Sequence, residues 1–526
     1  MLHTATALGG MITAPHHLAS EAGLRVLRDG GNAVEAMVAA AAAIAVVYPH
    51  MNAVGGDGFW LIAEPGRGPT GIDAAGWSAQ AATPDFYASQ GLDAIPARGP
   101  LAALNVAGTI AGWAKALEIG GGELPLGRLL EDAIAHARNG VPVTRGQEDL
   151  SREKLEELRD VPGFAETYLP GGNPPVVNDI IKFPALAETL ERLADAGLDD
   201  FYRGETARAN AAFLESAGSP LRFEDFAAFE ARQVTPLEVT LSSGTVYNMP
   251  PPTQGVSSLT ILALFERLGI SEAEGFDHVH GLVEASKQAF LLRNAHVTDP
   301  DFMTADPNDW LKSEFLGGLA DNIDPATALG WPQPTKPGDT IWMGCIDGKG
   351  RAVSFIQSVY WEFGSGVTNP ETGVLFQNRG NGFTLDPAHP NVLAPRKRPF
   401  HTLNPAMARL SDGRVLSYGT MGGEGQPQTQ AAVFSRYAMF GQPLQEAVTA
   451  PRWLLGRTWG EESTTLKLES RFDPALIATL RAAGHNVDVM EPFSSIMGHA
   501  GAVCRHDSGL IEGAADPRSD GKAAGF

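Results

Sequence analysis

Thr340 opens a strand-forming run directly after a stretch that cannot hold regular structure, and a threonine in that place has a definite chemical use. Residues 331–339 carry prolines at 332, 334 and 337, each of which fixes φ and removes a backbone donor. Thr340–Ile346 and Ala352–Tyr360 then read as an apolar hairpin turning at Asp347-Gly348-Lys349-Gly350. If the bond between Asp339 and Thr340 is cut, Thr340 carries both a hydroxyl nucleophile and an α-amine. A free α-amine titrates near ~8, so it can take the hydroxyl proton at neutral pH. Taken alone, Gly-Asp-Thr before a strand is ordinarily a turn and an edge residue.

Other groups with chemical potential read more plainly. Gly55-Gly56-Asp57-Gly58 leads into the strand Phe59–Ala63, whereas a phosphate-binding loop opens a helix; it reads as a turn needing unusual backbone angles. His278 and His280 stand two apart and cannot share a helical face, so with His16 and His17 they read as polar or capping residues. No metal-ligand cluster emerges, and no metal or organic cofactor is expected.

The elements that must position these residues follow from periodicity and composition. The chain has 526 residues, 44% hydrophobic and 19% charged, enough apolar material for a large core. The net charge of -22 argues against nucleic acid or an anionic membrane as partner, and the basic run Arg396-Lys397-Arg398 is too short to offset it. Two cysteines, Cys345 and Cys504, give no disulfide framework; with no signal-peptide pattern at the start, the reading is cytoplasmic. Met11–Ala14 predicts a short strand, Leu18–Arg28 a helix, and Asn32–Val47, almost all alanine and valine, a buried helix. Between Ala107 and Phe290 the pattern is mainly helical: an apolar face through Leu129, Leu130, Ala133, Ile134 and Ala137, and a charged run, Gln147–Asp160, expected as one solvated helix. Ser257–Leu268 predicts an apolar helix after a proline loop. Further strands are expected over Gly413–Tyr418 and Gly501–His506, and helices over Gln428–Phe440 and Asp473–Ala483. Helices before Thr340 and strands around it give an α+β protein.

In one order along nearly the whole chain, several motifs resemble the gamma-glutamyltransferase family. They include Gly30–Ala36, Gly55–Phe59, Ala107–Thr109, Phe201–Glu205, Glu284–Lys287, the hairpin at Thr340, Phe363–Gly366, Gly373–Asn378, Lys397–Pro399 with Leu403–Pro405, and Gly419–Gly423. The resemblance implies an N-terminal-nucleophile hydrolase with a four-layer αββα sandwich. It implies self-cleavage into a large chain, residues 1–339, and a small chain, residues 340–526, which together make one fold as a heterodimer; a further dimer of these is left open. It also implies Thr340 as nucleophile, Gly422 and Gly423 as oxyanion donors, and Ser358 near the Thr340 amine or hydroxyl.

The family's pocket is altered here. Ala75 stands where the transferases hold an arginine, Tyr360 replaces an asparagine, Gly382 an aspartate, and His401-Thr402 a serine pair, while Arg379 stands in place of a glutamine. Losing both head-group partners would cost about 3–5 kcal/mol per broken pair, so a γ-glutamyl substrate should bind badly. Arg379 as carboxylate clamp, with Tyr360, His401 and Thr402 as hydrogen-bond partners, suits a small anionic amide. That profile resembles the oxamate amidohydrolase branch, cytoplasmic enzymes of purine and allantoin nitrogen salvage. The alternatives are a γ-glutamyl hydrolase or transpeptidase acting on glutathione-like substrates, and an uncleaved relative that only binds small acids.

Overall fold

The computed structural model describes residues 3–331, 339–456 and 464–526, and of Asp339 only the backbone. The proline-rich connector at 332–338 lies outside the described residues. Two seven-stranded antiparallel sheets form the centre. One runs, edge to edge, Ala5–Ala7, Ile511–Ala515, Ala500–Arg505, Val415–Thr420, Ala406–Leu410, Gly244–Asn248 and Leu237–Leu241. The other runs Lys522–Gly525, Gly10–Ala14, Asp339–Asp347, Ala352–Tyr360, Asp57–Ala63, Thr70–Ala74 and Arg232–Val234. Each sheet mixes strands from before and after Thr340, so neither half of the chain can complete a sheet alone.

Between the sheets lies a thin apolar layer that includes Phe59, Leu61, Trp342, Ile356, Met407 and Val503. Trp342 decides its spacing. The indole N–H donates to Ser354 Oγ at 2.9 Å, and a Cβ on Gly419 or Gly501 would fall 2.3 or 2.7 Å from the ring. Glycine at those two positions is what lets the sheets close over tryptophan.

Helices cover the outer faces, completing an αββα sandwich. Behind the second sheet, Ala33–Val47 is buried along its whole length and starts with a capping box between Asn32 and Glu35. Its small side chains admit close neighbours: a Cβ on Gly23, in helix His17–Arg28, would lie 2.9 Å from the Ala36 carbonyl oxygen. Gly255–Arg267, Phe276–His296 and Gln426–Phe434 lie behind the first sheet.

Three expectations need correction. The charged run is not one solvated helix: it breaks at Lys154 between Arg145–Glu153 and Leu155–Leu158, and Gln147, Glu148, Leu150 and Ser151 are buried. The mainly helical region contains a hairpin, Leu237–Leu241 with Gly244–Asn248, whose strict alternation of buried and exposed side chains is a strand signal. Gly55 and Gly56 do not adopt positive φ. They are glycines because a Cβ on either would sit 2.1 Å from a carbonyl oxygen, of Leu375 and Ser358 respectively.

Candidate functional site

Thr340 lies fully buried near the start of the strand Asp339–Asp347. The neighbouring strand pairs Tyr360 with Asp339 and Gln357 with Ile341, with a bulge between, so Thr340 faces the Ser358–Val359 stretch across the ladder. Bulges of this kind re-aim side chains beside active sites. Ser358 is buried, and its Oγ accepts the Tyr360 N–H at 2.8 Å, which helps hold Tyr360 at φ +85°.

The opposite sheet brings the glycine pair to the same end. Gly344 packs against Ser417 and Trp342 against Gly419, so each two-residue step back along the first strand moves two forward along the second. One further step sets Thr340 against Met421, beside Gly422 and Gly423. The turn is held from three sides. Met421 O accepts Thr420 Oγ1 at 2.7 Å, Gly422 O accepts the Gly425 N–H at 2.8 Å, and Gly423 O accepts Gln254 Nε2 at 2.9 Å. In a trans peptide the N–H points opposite its carbonyl, so fixing the Met421 and Gly422 carbonyls fixes the N–H groups of Gly422 and Gly423. Neither donates to another described residue. Positive φ at both, +119° and +51°, explains the residue type.

The altered pocket residues come together as well. Arg379 is 1% exposed, stacks on Tyr360 with Cζ 3.9 Å from the ring centre, and donates Nη1–H to Thr402 Oγ1 at 3.2 Å. Its Nε and Nη2 have no partner, and these two nitrogens form the side-on fork that matches a carboxylate. Burial lowers its pKa to about 10, so it stays cationic at neutral pH. His401 is turned toward Asp57, with Nε2 3.0 Å from Oδ2 but off the angle of a hydrogen bond. Burial, with Arg379 nearby, lowers the His401 pKa to about 4 against the pull of Asp57, so the imidazole is neutral. The other Asp57 oxygen accepts the Gly76 N–H and Gln377 Nε2, both at 2.8 Å. Gln254 joins these groups to the glycine turn, since its amide also donates to Thr402 O at 2.8 Å. Beside them opens a cavity of about 390 Å³ lined in part by Arg293, Tyr360, Gly382, Phe400 and Glu424.

Asp57, Gln254 and Arg293 were not singled out as site residues in the sequence. Asp57 was in view only as part of a glycine-rich turn; the other two have no local signal. His280, Glu284 and His485 gather with ligand atoms within 4.8 Å of one another, a grouping the sequence conceals because His485 lies 205 residues from His280. The group is closed by its own bonds: His280 Nδ1 meets His485 Nε2 at 2.9 Å and the Lys287 ammonium sits 2.6 Å from Glu284. Lys397 and Arg398 are buried structural cations, the latter paired with Asp73 and Asp299. Among the described residues no helix is long and apolar enough to cross a membrane.

A family model described as Gamma-glutamyltranspeptidase matches residues 19–526. The chain is 56% identical to an "Oxamate amidohydrolase proenzyme" of Klebsiella pneumoniae, over 98% of each chain. It is 30% identical to a "Glutathione hydrolase proenzyme" of Escherichia coli, covering 100% of this chain and 93% of that one. The crystal structure of a cephalosporin acylase from Bacillus halodurans superposes with a TM-score of 0.93 at 31% identity, covering 100% of this chain and 97% of that one.

Proposed function

The chain belongs to the gamma-glutamyltranspeptidase family of self-processing N-terminal-nucleophile amide hydrolases, and on that premise we propose that Thr340 is its nucleophile and the amide of a small acid such as oxamate its substrate. In the precursor, the Thr340 hydroxyl oxygen adds to the Asp339 carbonyl carbon. The C–N bond breaks, the proton passes to the new amine, and water hydrolyses the ester, leaving chains 1–339 and 340–526. In the mature enzyme the Thr340 amine takes the hydroxyl proton as oxygen attacks the substrate amide. The N–H groups of Gly422 and Gly423 receive the oxyanion, Ser358 orients the Thr340 end of the hairpin, and ammonia leaves with the proton returned by the amine. Water then cleaves the acyl-threonine, giving oxalate from oxamate.

The observation that carries the substrate reading is Arg379. Its Nε–H and Nη2–H are buried and unpartnered, a costly state unless a ligand carboxylate completes it. The guanidinium stacks on Tyr360, the residue paired directly across the ladder from Asp339. Clamp and scissile bond are thus one strand pair apart, about 5 Å between backbones, which suits a carboxylate attached directly to the amide carbon. Tyr360, Thr402 and His401 complete the surroundings of that carboxylate. A cytoplasmic place in nitrogen salvage belongs to the same reading, supported by Cys345 and Cys504, both buried and unpaired. Intact mass and N-terminal sequencing, followed by ammonia release from oxamate and glutamine side by side, test it. Cleavage before Thr340 with ammonia from oxamate alone is expected; preference for glutamine or a γ-glutamyl anilide would overturn the small-acid pocket, and an uncut, inactive chain the nucleophile.

A further inference from the structure

We infer that Gln254 is a positioning residue through which the large chain sets the glycine turn and the carboxylate clamp together. The inference rests on the reading of Gly422 and Gly423 as oxyanion donors.

Gln254 is fully buried and every polar atom of its side chain is committed. Nε2 donates one hydrogen to Thr402 O at 2.8 Å and the other to Gly423 O at 2.9 Å, while Oε1 accepts Arg293 Nη1–H at 2.6 Å. Its backbone N–H also donates to His401 O at 2.9 Å. The amide orientation is fixed by chemistry: a guanidinium only donates and backbone carbonyls only accept. Arg293 in turn forms an ion pair with Glu424, the residue after Gly423. Gln254 and Arg293 precede Thr340, whereas His401, Thr402, Gly423 and Glu424 follow it, so these bonds cross between the two chains of the cleaved enzyme.

The consequence is geometric. Gly423 O is the third carbonyl of the turn and only Gln254 among side chains holds it, so Gln254 fixes the end of the turn at which the oxyanion would sit. The same amide holds the peptide of Thr402, whose hydroxyl takes the Arg379 Nη1–H. One side chain therefore registers the carboxylate clamp against the oxyanion donors, and a displacement of about 1 Å between such groups can cost 10²-fold in rate. Other residue types fail for stated reasons. Glutamate keeps Arg293 but turns two acceptors toward two carbonyls; methionine fills the space without any of the bonds.

The test uses Gln254→Glu and Gln254→Met in the full chain, with kcat expressed per chain carrying an N-terminal Thr340 as counted by mass. Expected is a 10- to 100-fold fall in kcat and a severalfold rise in KM toward oxamate in both variants. The melting temperature of Gln254→Glu should stay within a few degrees of the parent, because the contact with Arg293 survives. A purely structural Gln254 would lower the melting temperature or the yield of cleaved chain and leave kcat per cleaved chain within twofold, and that result overturns the inference. If one variant fails to fold, the other decides. A variant that folds but stays uncut counts in its favour, since self-cleavage passes through an oxyanion at the same turn. Thr420→Val separates the two layers of the argument, because it releases the Met421 carbonyl without touching Gln254. If Thr420→Val lowers kcat and the Gln254 variants do not, only the positioning role falls. If none lowers it, the oxyanion reading falls with it.

Discussion

Two clusters of buried charge support the Met421–Gly423 turn from different sides, and they are finished to different degrees. Behind the turn, Arg452 donates to the Met497 and Gly498 carbonyls and pairs with Asp516, while Arg518 bridges Asp516 and Glu469. All four carboxylate oxygens there accept bonds, including the Ala500 N–H on Asp516 and the Arg452 N–H on Glu469. In front of the turn, Arg379 leaves two nitrogens unpartnered, His401 both ring nitrogens, and Asp57 one oxygen. Both clusters are buried, so exposure to water does not account for the difference. A buried network built for shape satisfies its members, whereas one built to receive a ligand holds places open at a cost in stability.

The largest expected effect separates chemistry from shape. Thr340→Ala should remain a single chain of 55.6 kDa, release no ammonia from oxamate, and melt as cooperatively as the parent, read by intact mass and calorimetry. Next, breaking the finished cluster should act on stability alone. Asp516→Ala leaves Arg452 and Arg518 buried without their shared carboxylate, and loss of one partner from such a network costs about 3–5 kcal/mol. Denaturant unfolding should show that loss, while kcat per correctly cleaved, folded chain stays near the parent value at low temperature.

The open cluster should give the reverse. Arg379→Met removes two desolvated, unpaired donors, so folding stability should hold or rise. A carboxylate substrate that loses its buried partner forfeits about 3 kcal/mol, roughly 100-fold in kcat/KM. A parallel loss in stability and activity would mean that Arg379 is structural and that the contrast between the clusters is wrong.

Much of this contrast was legible beforehand, and what was not has a physical reason. Thr340, Arg379, Thr402 and Gly422-Gly423 stand out through residue type at fixed places in ordered motifs, and the structure joins them through Tyr360 and Gln254. The fully buried alanine helix could be read from composition alone, because fifteen small apolar residues have no polar face to present. Gln254 and Arg293 could not. Glutamine and arginine are usual surface residues, and their roles exist only through partners more than a hundred positions away. The broken helix at Lys154 was missed because charge was read as solvation, although Glu148 is buried under Arg145 and Arg152 and accepts the Val177 N–H.

Acid should distinguish the clusters by the pH at which each gives way. Burial would raise the Asp516 pKa, but Arg452 and Arg518 outweigh it and hold it at about 2. A carboxylate depressed below its unfolded value near ~3.9 gives up its contribution, about 2 kcal/mol, only as pH falls from about 4 toward 2. In the open region the buried histidines work the same way at higher pH. His401 is held at about 4, and His50, whose neighbours include His499 and His16, at about 3, each chiefly by burial. A depressed histidine favours folding above its unfolded value near ~6.5 and loses that contribution as the unfolded chain takes up the proton first. Stability should therefore begin to fall below about pH 6.5, and Gln or Phe at position 50 should flatten the slope between pH 6 and 4 by up to about 1.4 kcal/mol per pH unit. An unchanged slope would place the early loss elsewhere.

The smallest effect tests how finely the open cluster is tuned. Thr402→Val keeps the shape of the side chain and its backbone carbonyl, and with it the bond to Gln254, but removes the hydroxyl that accepts from Arg379 at 3.2 Å. A bond of that length is worth about 1 kcal/mol net, so a KM about fivefold higher with kcat nearly unchanged is expected: the guanidinium remains charged and stacked on Tyr360 yet is free to rotate about that stack. A fall in kcat without a change in KM would mean instead that Thr402 acts on the glycine turn through Gln254 rather than on the clamp, and that the open cluster is organised around the oxyanion rather than the carboxylate.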